Sequence, residues 1–388
     1  MKLSVLAFEA NAGDTLEEQT EDCLVQLNAF ISNATYTHNN IIAINFFIAA
    51  DNNDLYGDLA GRVAGCLPDH MRTSVPVACL AQAPANGALV STEVYFITNL
   101  ENAEVVRKNE NGNLYLVIRN NKGEKLVIAN GIGKDIENGN ITEEAEEVFK
   151  LMERILHNEG LDFCHIFRQW NYIEGITEVE TDESESQHYQ QFNNVRSNYY
   201  SRADFTQGYP AATGIGTRAG GVMVCFFAAS PEGYHTLAIE NPLQKAAFEY
   251  SDKVLVGNAE FRGSRKCSPK FARAKWVANQ QSEQVFISGT ASIRDEITVG
   301  IKDVAKQTEI TLDNIQQLIS RETLSAFGKG EPELPRIEFI RVYIKYPEHH
   351  RVVKQICEYR LPGIPGIYVV SDVCREDLLV EIEAIASA

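Results

Sequence analysis

The stretch at residues 377–386 constrains the fold of this chain more than any other segment, because its side chains alternate with the period of a β-strand. One set of alternate positions is aliphatic and suits a hydrophobic core. The other set carries Glu381 and Glu383 beside apolar neighbours. A carboxylate on such a face can serve as a general acid, because desolvation favours its protonated form. The plainer interpretation is an edge strand with two solvated glutamates. The aliphatic positions are Leu378, Val380, Ile382 and Ala384.

The length of the chain predicts two domains. Its 388 residues exceed one typical core, and a composition of 44% hydrophobic and 23% charged residues is that of a soluble globular protein. We place the predicted domains at residues 1–230 and 231–388. The second of them carries the Glu381 strand.

The charge balance argues against a nucleic-acid partner. Lysine and arginine total 35 against 53 aspartates and glutamates, a net charge of −18, whereas phosphate binding requires a basic surface. A small anionic substrate then needs a pocket with its own arginines. The longest apolar run, residues 41–50, is shorter than the roughly 20 residues that span a bilayer and predicts a buried strand, so we expect no membrane association.

The cysteines and the N-terminus predict a cytoplasmic protein. Eight cysteines are scattered without Cys-x-x-Cys spacing, which favours reduced thiols over disulfides or a zinc site. The first nine residues resemble a strand and lack the apolar region of a signal peptide.

The Gly214-Ile215-Gly216 sequence lacks the third glycine of a dinucleotide loop. We therefore expect no metal and no cofactor.

The order of elements predicts an α+β fold with helices on one face of the sheet. Residues 114–119 and 124–129 predict a hairpin, and a helix capped by Thr142 follows and ends before Gly160. The sequence of the second half of the chain predicts further strands and helices. They are strands at 285–288, 336–345, 367–371 and 378–385, and helices at 304–319 and 348–358.

Several passages in the second half resemble known proteins. Ile287-Ser288-Gly289-Thr290-Ala291-Ser292-Ile293, Gln307-Thr308 with Leu312 and Asn314-Ile315, and the closing strand are similar to the RidA/YjgF family. Five more passages narrow the resemblance, over roughly residues 165–388, to the chorismatases. They are Arg168-Gln169-Trp170-Asn171-Tyr172-Ile173, Tyr189-Gln190-Gln191-Phe192-Asn193, Pro210-Ala211-Ala212-Thr213-Gly214-Ile215-Gly216, Glu240-Asn241-Pro242-Leu243-Gln244 and Pro269-Lys270-Phe271-Ala272-Arg273-Ala274.

The resemblance implies a RidA/YjgF-like sheet with helices packed on one face, present in two such subdomains. The first subdomain would be a degenerate copy and the second would carry the acid. RidA-like proteins are trimers with sites between subunits. A chain of double length can bury the equivalent surfaces internally, so we expect a monomer, with a trimer as the alternative.

The resemblance also implies a reaction. Chorismatases split chorismate into pyruvate and a ring acid without cofactor or metal, and protonation of the enolpyruvyl methylene starts the cleavage. Glu381 stands at the family's acid position. Arg196 and Arg273 are the expected partners of the two substrate carboxylates, because arginine binds carboxylates in a bidentate manner. Tyr189 and Tyr250 are further expected substrate contacts.

Two positions suggest the product. At the positions of Cys374 and Gly289, this chain resembles the chorismatase branch that forms 3-hydroxybenzoate. The hydrolytic branch, which forms a dihydroxycyclohexadiene carboxylate, has alanine at both positions. We therefore expect 3-hydroxybenzoate, with Cys374 as a proton shuttle or weak base. Hydrolysis is the alternative. Whether Arg262 or Arg265 of the intervening loop lines the pocket stays open.

Two rival functions remain. A RidA-like enamine or imine deaminase would need an arginine about fifteen residues before Glu381, and Gly366 occupies that place. A binder of aromatic acids without catalytic activity is the second rival, because a fold does not determine a function.

Overall fold

The computed structural model describes residues 2–34, 36–98, 100, 103–133, 140–179, 185–257, 266–329 and 333–388. These residues form three successive α+β units, each a twisted sheet with its helices on one face. The predicted α+β class is therefore confirmed.

The first unit has a four-stranded sheet in the order β1-β4-β2-β3. Its first helix begins at a capping box, in which the Thr15 hydroxyl accepts from the Glu18 amide and the Glu18 carboxylate accepts from the Thr15 amide. The strand predicted at 41–50 is present as Ile41–Ile48 in the core of this sheet, with every side chain of the strand buried. The elements are β1 Lys2–Glu9, α1 Leu16–Asn33, β2 Ile41–Ile48, α2 Asn53–Cys66, α3 Asp69–Arg72, β3 Val77–Leu80 and β4 Val90–Thr98.

The second unit has a six-stranded sheet in the order β5-β6-β7-β10-β8-β9. The predicted hairpin is confirmed as β6 and β7. The helix predicted to start after Thr142 is also present, but its cap is Asn140, whose side chain accepts from the Glu143 amide, so the helix begins earlier. The elements are β5 Ala103–Glu110, β6 Asn113–Asn120, β7 Lys125–Ile132, α4 Ile141–Asn158, β8 Ile166–Glu174, α5 His188–Tyr200, β9 Ala211–Thr217 and β10 Val222–Ala229.

The third unit repeats this arrangement in the order β11-β12-β13-β18-β16-β17, with a small β14-β15 ribbon apart from the main sheet. The strands and helices predicted in the second half of the chain are all present, with ends shifted by a few residues. The elements are β11 His235–Ile239, β12 Ala274–Asn279, β13 Ser282–Ala291, β14 Ile293–Arg294, β15 Ile297–Thr298, α6 Val304–Leu318, α7 Arg321–Leu324, β16 Arg336–Ile344, α8 His350–Arg360, β17 Gly366–Val370 and β18 Val380–Ser387.

The edge-strand interpretation of residues 377–386 is wrong. Strand β18 lies between β13 and β16 and pairs with both in antiparallel register. Its carboxylate face is covered by the second unit, so Glu381 and Glu383 are only 4% and 5% exposed. Both glutamates are therefore buried ionisable groups, which need a specific environment.

Three sheets share one central core. Each sheet packs its helices on its outer face in a separate apolar cluster, and turns its inner face toward a cluster that contains residues of all three units. The sequence predicted two such layers; the described residues form three, because residues 2–98 build a sheet of their own. The division at 230/231 and the monomeric state stay predictions. Among the helices that the structure describes, none has the length and apolar character that crossing a bilayer demands.

Candidate active site

A cavity of about 600 Å³ lies where the second and third units meet. Its wall combines the start of α5, the middle of β9, the end of β13 and the segment that leads into β18. Six of the seven residues predicted for the site line it, although they come from widely separated parts of the chain. They are Tyr189, Tyr250, Arg273, Gly289, Cys374 and Glu381.

Glu381 reaches the cavity from the centre of the third sheet. It pairs across the strands with Ala291 of β13 and Tyr343 of β16. Among the described residues, no hydrogen-bond donor or cation contacts its carboxyl group. Burial and the nearby Glu383 charge raise its pKa to about 8, against smaller opposing effects of Arg168 and Arg273. The carboxyl group is therefore protonated at neutral pH and can donate a proton to a molecule in the cavity.

Gly289 permits this placement of the acid. A Cβ at position 289 would collide with Oε1 of Glu381 and would lie 2.9 Å from Cγ2 of Thr213. The pairing of β13 with β18 shifts register beside it, between Ile287 and Thr290. The absent side chain thus makes the space that the carboxyl group occupies.

Glu383 lies two residues from Glu381 in a different environment. Burial alone would raise its pKa, but Arg168 and Arg341 together with hydrogen bonds hold its pKa below the usual value. It is therefore an ionised carboxylate inside the protein. Its partners are Arg168 Nη2 at 2.7 Å, Trp170 Nε1 at 2.7 Å, Thr213 Oγ1 at 2.6 Å, Tyr343 OH at 3.1 Å and Arg341 Nη1 at 3.5 Å.

Arg341 extends this network into the other units. The fully buried guanidinium forms an ion pair with Glu93 of β4 and donates to three phenols. The phenols belong to Tyr95, Tyr172 and Tyr343, one from each unit. The buried polar network therefore connects all three sheets and ends at the strand that holds the acid.

The cationic side of the cavity contains Arg273. Its Nη2 donates to the Lys245 carbonyl at 2.8 Å and to the Tyr250 hydroxyl at 2.7 Å, and its buried Nε has no described partner. A permanently charged group with an unused donor at a cavity wall is suited to an anion.

Arg196 does not line the cavity. It is 1% exposed inside α5, where it donates to the Asn193 side chain. Its guanidinium lies near Tyr189. Burial raises the pKa of the Tyr189 hydroxyl group, and the Arg196 charge partly opposes this increase. The buried Nε of Arg196 has no described partner. The expectation that Arg196 meets a substrate carboxylate stays a prediction, and its side chain is absent from the described cavity lining. Tyr189 itself packs over Gly214, where a Cβ would lie 2.7 Å from the ring.

Cys374 lies beside the acid on the segment before β18. Burial and the Glu381 charge raise the pKa of its thiol to about 12, against smaller effects of Arg375 and Arg273. The thiol is therefore protonated at neutral pH. Its backbone carbonyl accepts from the Gln187 side chain at 3.3 Å, which joins this segment to the start of α5.

Three polar residues of the site were not predicted from the sequence. Thr213 and Arg168 stand in passages that carry the family resemblance, but only the fold brings them to Glu383. Arg375 follows the predicted Cys374 and lines the cavity. Arg262 and Arg265 lie outside the described residues. No group of three or more histidine, cysteine, aspartate or glutamate side chains suited to a metal occurs in the described ranges.

Known proteins are similar to this chain in sequence and in fold. Residues 102–228 match the family model "Chorismatase FkbO/Hyg5-like, N-terminal". A protein of Streptomyces hygroscopicus named 3-hydroxybenzoate synthase is 34% identical over 255 residues, which cover 64% of this chain and 70% of that protein. A second protein of that organism, named chorismatase, is 33% identical over 231 residues, 59% of this chain and 63% of the relative.

A solved structure agrees in overall fold. The crystal structure of a chorismatase superposes with a TM-score of 0.72 at 22% identity and covers 99% of this chain and 98% of its own. This likeness extends the match of architecture to all three units. The sequence relationship to the 3-hydroxybenzoate synthase and the shared fold lead to one conclusion: the chain belongs to the chorismatase family.

Proposed function

We propose that this protein converts chorismate to 3-hydroxybenzoate and pyruvate, with Glu381 as the general acid. The observation that carries the proposal is the buried carboxyl group of Glu381, which has no partner among the described residues and faces a cavity that the Arg273 guanidinium also lines. The names of the relatives, 3-hydroxybenzoate synthase and chorismatase, support the same reaction.

The first half of the reaction requires an acid. Glu381 donates its proton to the methylene carbon of the enolpyruvyl group, which leaves an oxocarbenium ion at the ether carbon. Water adds to that carbon and returns a proton to Glu381, and the hemiketal then breaks into pyruvate and a ring alcohol. General acid catalysis of this kind contributes about 10²–10⁴ in rate. The raised pKa keeps the proton available at neutral pH.

The second half makes the ring aromatic. The ring alcohol loses the C4 hydroxyl group and the C3 proton as one molecule of water, so the overall conversion consumes no water. Cys374 begins this step as a neutral thiol. It gives its proton to the departing hydroxyl group and recovers one from C3, which makes it the proton shuttle. No cofactor takes part.

The cavity must also bind a dianion, because chorismate carries two carboxylates. Arg273 supplies one permanent charge and an unused N–H group. Tyr250 is oriented by Arg273 and can contact the substrate with its ring or hydroxyl group. Tyr189 also lines the cavity. We assign Arg196 to holding Tyr189, since its guanidinium interacts with that phenol rather than with the cavity.

The internal assembly supports a monomer. The inner faces of three sheets in this chain share one core, so surfaces of the kind that RidA-like proteins bury between subunits can be buried within a single chain. We propose that it acts in the cytoplasm as a monomer. Light scattering coupled to size-exclusion chromatography would give one chain mass, 43.2 kDa, and a trimer mass would overturn the assignment.

The test of the reaction is direct. Purified protein is mixed with chorismate, pyruvate is followed by coupling to lactate dehydrogenase, and the ring product is identified by chromatography. Absence of pyruvate would favour a noncatalytic binder. Pyruvate with the dihydroxycyclohexadiene carboxylate as the only ring product would assign the protein to hydrolysis.

The Cys374→Ala variant tests the shuttle. Because only the second half needs the thiol, we expect pyruvate release to continue while the ring product shifts to the dihydroxycyclohexadiene carboxylate. The control is Cys66→Ala, which changes a thiol of the first unit outside the cavity. An unchanged product ratio in Cys374→Ala would contradict the role of the thiol.

A further inference from the structure

A second guanidinium stands at the cavity without a role in the reaction described so far. Arg375 lies on the segment between β17 and β18 and lines the cavity. Its Nη1 donates to the Glu296 carbonyl at 2.8 Å, which anchors the side chain. Its Nη2 is buried and has no hydrogen-bond partner among the described residues.

Arg375 and Arg273 are arranged around one phenol. The Cζ atom of Arg375 lies 5.1 Å from the centre of the Tyr250 ring, and that of Arg273 lies 5.5 Å from the same centre. Cation–π contacts at these distances hold both guanidiniums in place. Within the described part of the chain, each guanidinium has one buried N–H group without a partner, Nη2 in Arg375 and Nε in Arg273.

Few described acids act on this pair of cations. Glu240, which does not line the cavity, interacts with the Arg273 charge, but burial raises the pKa of its carboxyl group to about 7. Neither guanidinium forms an ion pair with a described carboxylate. Of the acids that line the cavity, Glu381 is held protonated, Glu376 is exposed to solvent, and Asp377 accepts from the Thr298 hydroxyl. Leaving a buried donor of a charged group unsatisfied costs about 1–3 kcal/mol or more. Two such donors on one wall are suited to an anion that arrives from outside.

The two cations have different relations to the acid. Of these two arginines, Arg273 acts more strongly on the Glu381 carboxyl group. The acid must meet the enolpyruvyl methylene, and the enolpyruvyl carboxylate is bonded to the neighbouring carbon. The enolpyruvyl carboxylate is therefore expected to bind Arg273, and the ring carboxylate is expected to bind Arg375.

We propose that Arg375 binds the ring carboxylate of the substrate, so that Arg273 and Arg375, which both contact Tyr250, select a dicarboxylate. This inference rests on the proposed function, because it takes chorismate as the ligand. It replaces the predicted pair of Arg196 and Arg273 with a pair that lines the cavity. Arg375 is a substrate-binding residue and takes no part in proton transfer.

The Arg375→Gln variant tests this role by comparing substrate and product. 3-Hydroxybenzoate retains the ring carboxylate and pyruvate does not. We expect the KM for chorismate and the calorimetric Kd for 3-hydroxybenzoate each to rise about 10- to 100-fold, the effect of losing one charged hydrogen bond. We expect kcat to change less than about threefold, because the interaction is the same in ground and transition states. Inhibition by pyruvate should not change.

Two further variants serve as controls. Arg375→Lys keeps the charge but loses the planar fork, and we expect it to recover only part of the affinity. Arg218→Gln removes a half-exposed arginine that does not line the cavity, and neither constant should move. Thermal unfolding of each variant establishes that it is folded.

The outcomes separate the two proposals. Wild-type protein that releases no pyruvate from chorismate overturns the proposed function. An unchanged Kd for 3-hydroxybenzoate in Arg375→Gln, or wild-type protein that does not bind this acid at all, overturns the role of Arg375. Product affinity lost together with kcat, but with KM unchanged, would likewise contradict simple binding.

Discussion

Glu381 and Glu383 stand on the same face of one strand, yet their surroundings are opposite. Glu383 is enclosed by two guanidiniums and three neutral donors, and its pKa lies below the usual value. Glu381 faces the cavity, no described donor contacts its carboxyl group, and its pKa is raised to about 8. Both are almost equally buried. Burial alone therefore does not set protonation in this protein; the number of partners does.

The difference also assigns the two glutamates separate tasks. Glu383 connects the third sheet to the second and adds a negative charge near the acid. That charge is the second cause, after burial, of the raised pKa of Glu381. One glutamate therefore keeps the other protonated. The four predictions below follow from this contrast.

The largest effect is expected on the rate of Glu381→Gln. Glutamine fits the same space but has no proton to give, so pyruvate release from chorismate should fall about 10²- to 10⁴-fold. The matched control is Glu376→Gln, at the exposed side of the same cavity, which should retain nearly full activity. Pyruvate release at an undiminished rate in Glu381→Gln would contradict the assignment of the acid.

Glu383→Gln should affect folding most strongly. Removing one partner of a buried ion pair leaves Arg168 and Arg341 with insufficient negative charge, which costs about 3–5 kcal/mol of the free energy of unfolding. Urea denaturation measures this loss. Glu338→Gln is the control, since its partner Lys2 is one-third exposed and such pairs contribute about 0–1 kcal/mol. Similar decreases in the free energy of unfolding of both variants would show that the buried network stabilises the protein no more than a surface ion pair does.

Glu381→Gln should change stability in the opposite direction, and only at higher pH. The folded protein holds this carboxyl group protonated to about pH 8, whereas the unfolded chain ionises it near pH 4.5. The resulting stabilisation is complete below pH 4.5 and is lost as the pH rises to about 8. Glutamine does not ionise, so the variant does not lose stability as the pH rises. We therefore expect it to be more stable than wild type by about 2–4 kcal/mol at pH 8, with almost no difference at pH 4.5.

Constant relative stability of Glu381→Gln and wild type between those pH values would show that the carboxyl group has an ordinary pKa. The measurement is urea denaturation of both proteins over this range.

The smallest effect is expected for Gly289→Ala. The new methyl group takes the place of Oε1 of Glu381 and displaces the carboxyl group. Poorer alignment with the substrate should lower kcat about tenfold. The control is Gly61→Ala, in α2, where a Cβ meets nothing within 4 Å. Equal kcat values in the two variants would show that the close approach of Gly289 and Glu381 has no catalytic consequence.

The sequence predicted the local elements well and their partners poorly. The alternation around Glu381 identified a strand, but its position in the sheet depends on β13 and β16, which are distant in sequence. A strand with two glutamates on one face normally faces solvent. Arg168 and Arg341 stabilise the buried charge of Glu383. They come from different strands, so the local sequence pattern does not reveal them.

The site residues show the same limit. Glu381 and Gly289 came from short motifs, Cys374 came from a comparison of the two chorismatase branches, and all three line the cavity. Arg196 came from a motif on a helix, where the chemical identity of a residue does not reveal which side of the helix it faces; it turns inward, to Asn193. Arg375 has no pattern around it, and only the fold places it beside Tyr250.

The ion pair between Arg341 and Glu93 has a consequence for anyone who wishes to cut this protein into pieces. All described residues that line the cavity belong to the second and third units, which makes a chain without the first unit attractive for engineering. Such a chain would carry Arg341 into its interior without the glutamate supplied by β4. Trimming would thus have to be accompanied by replacement of this arginine with an uncharged residue of similar volume.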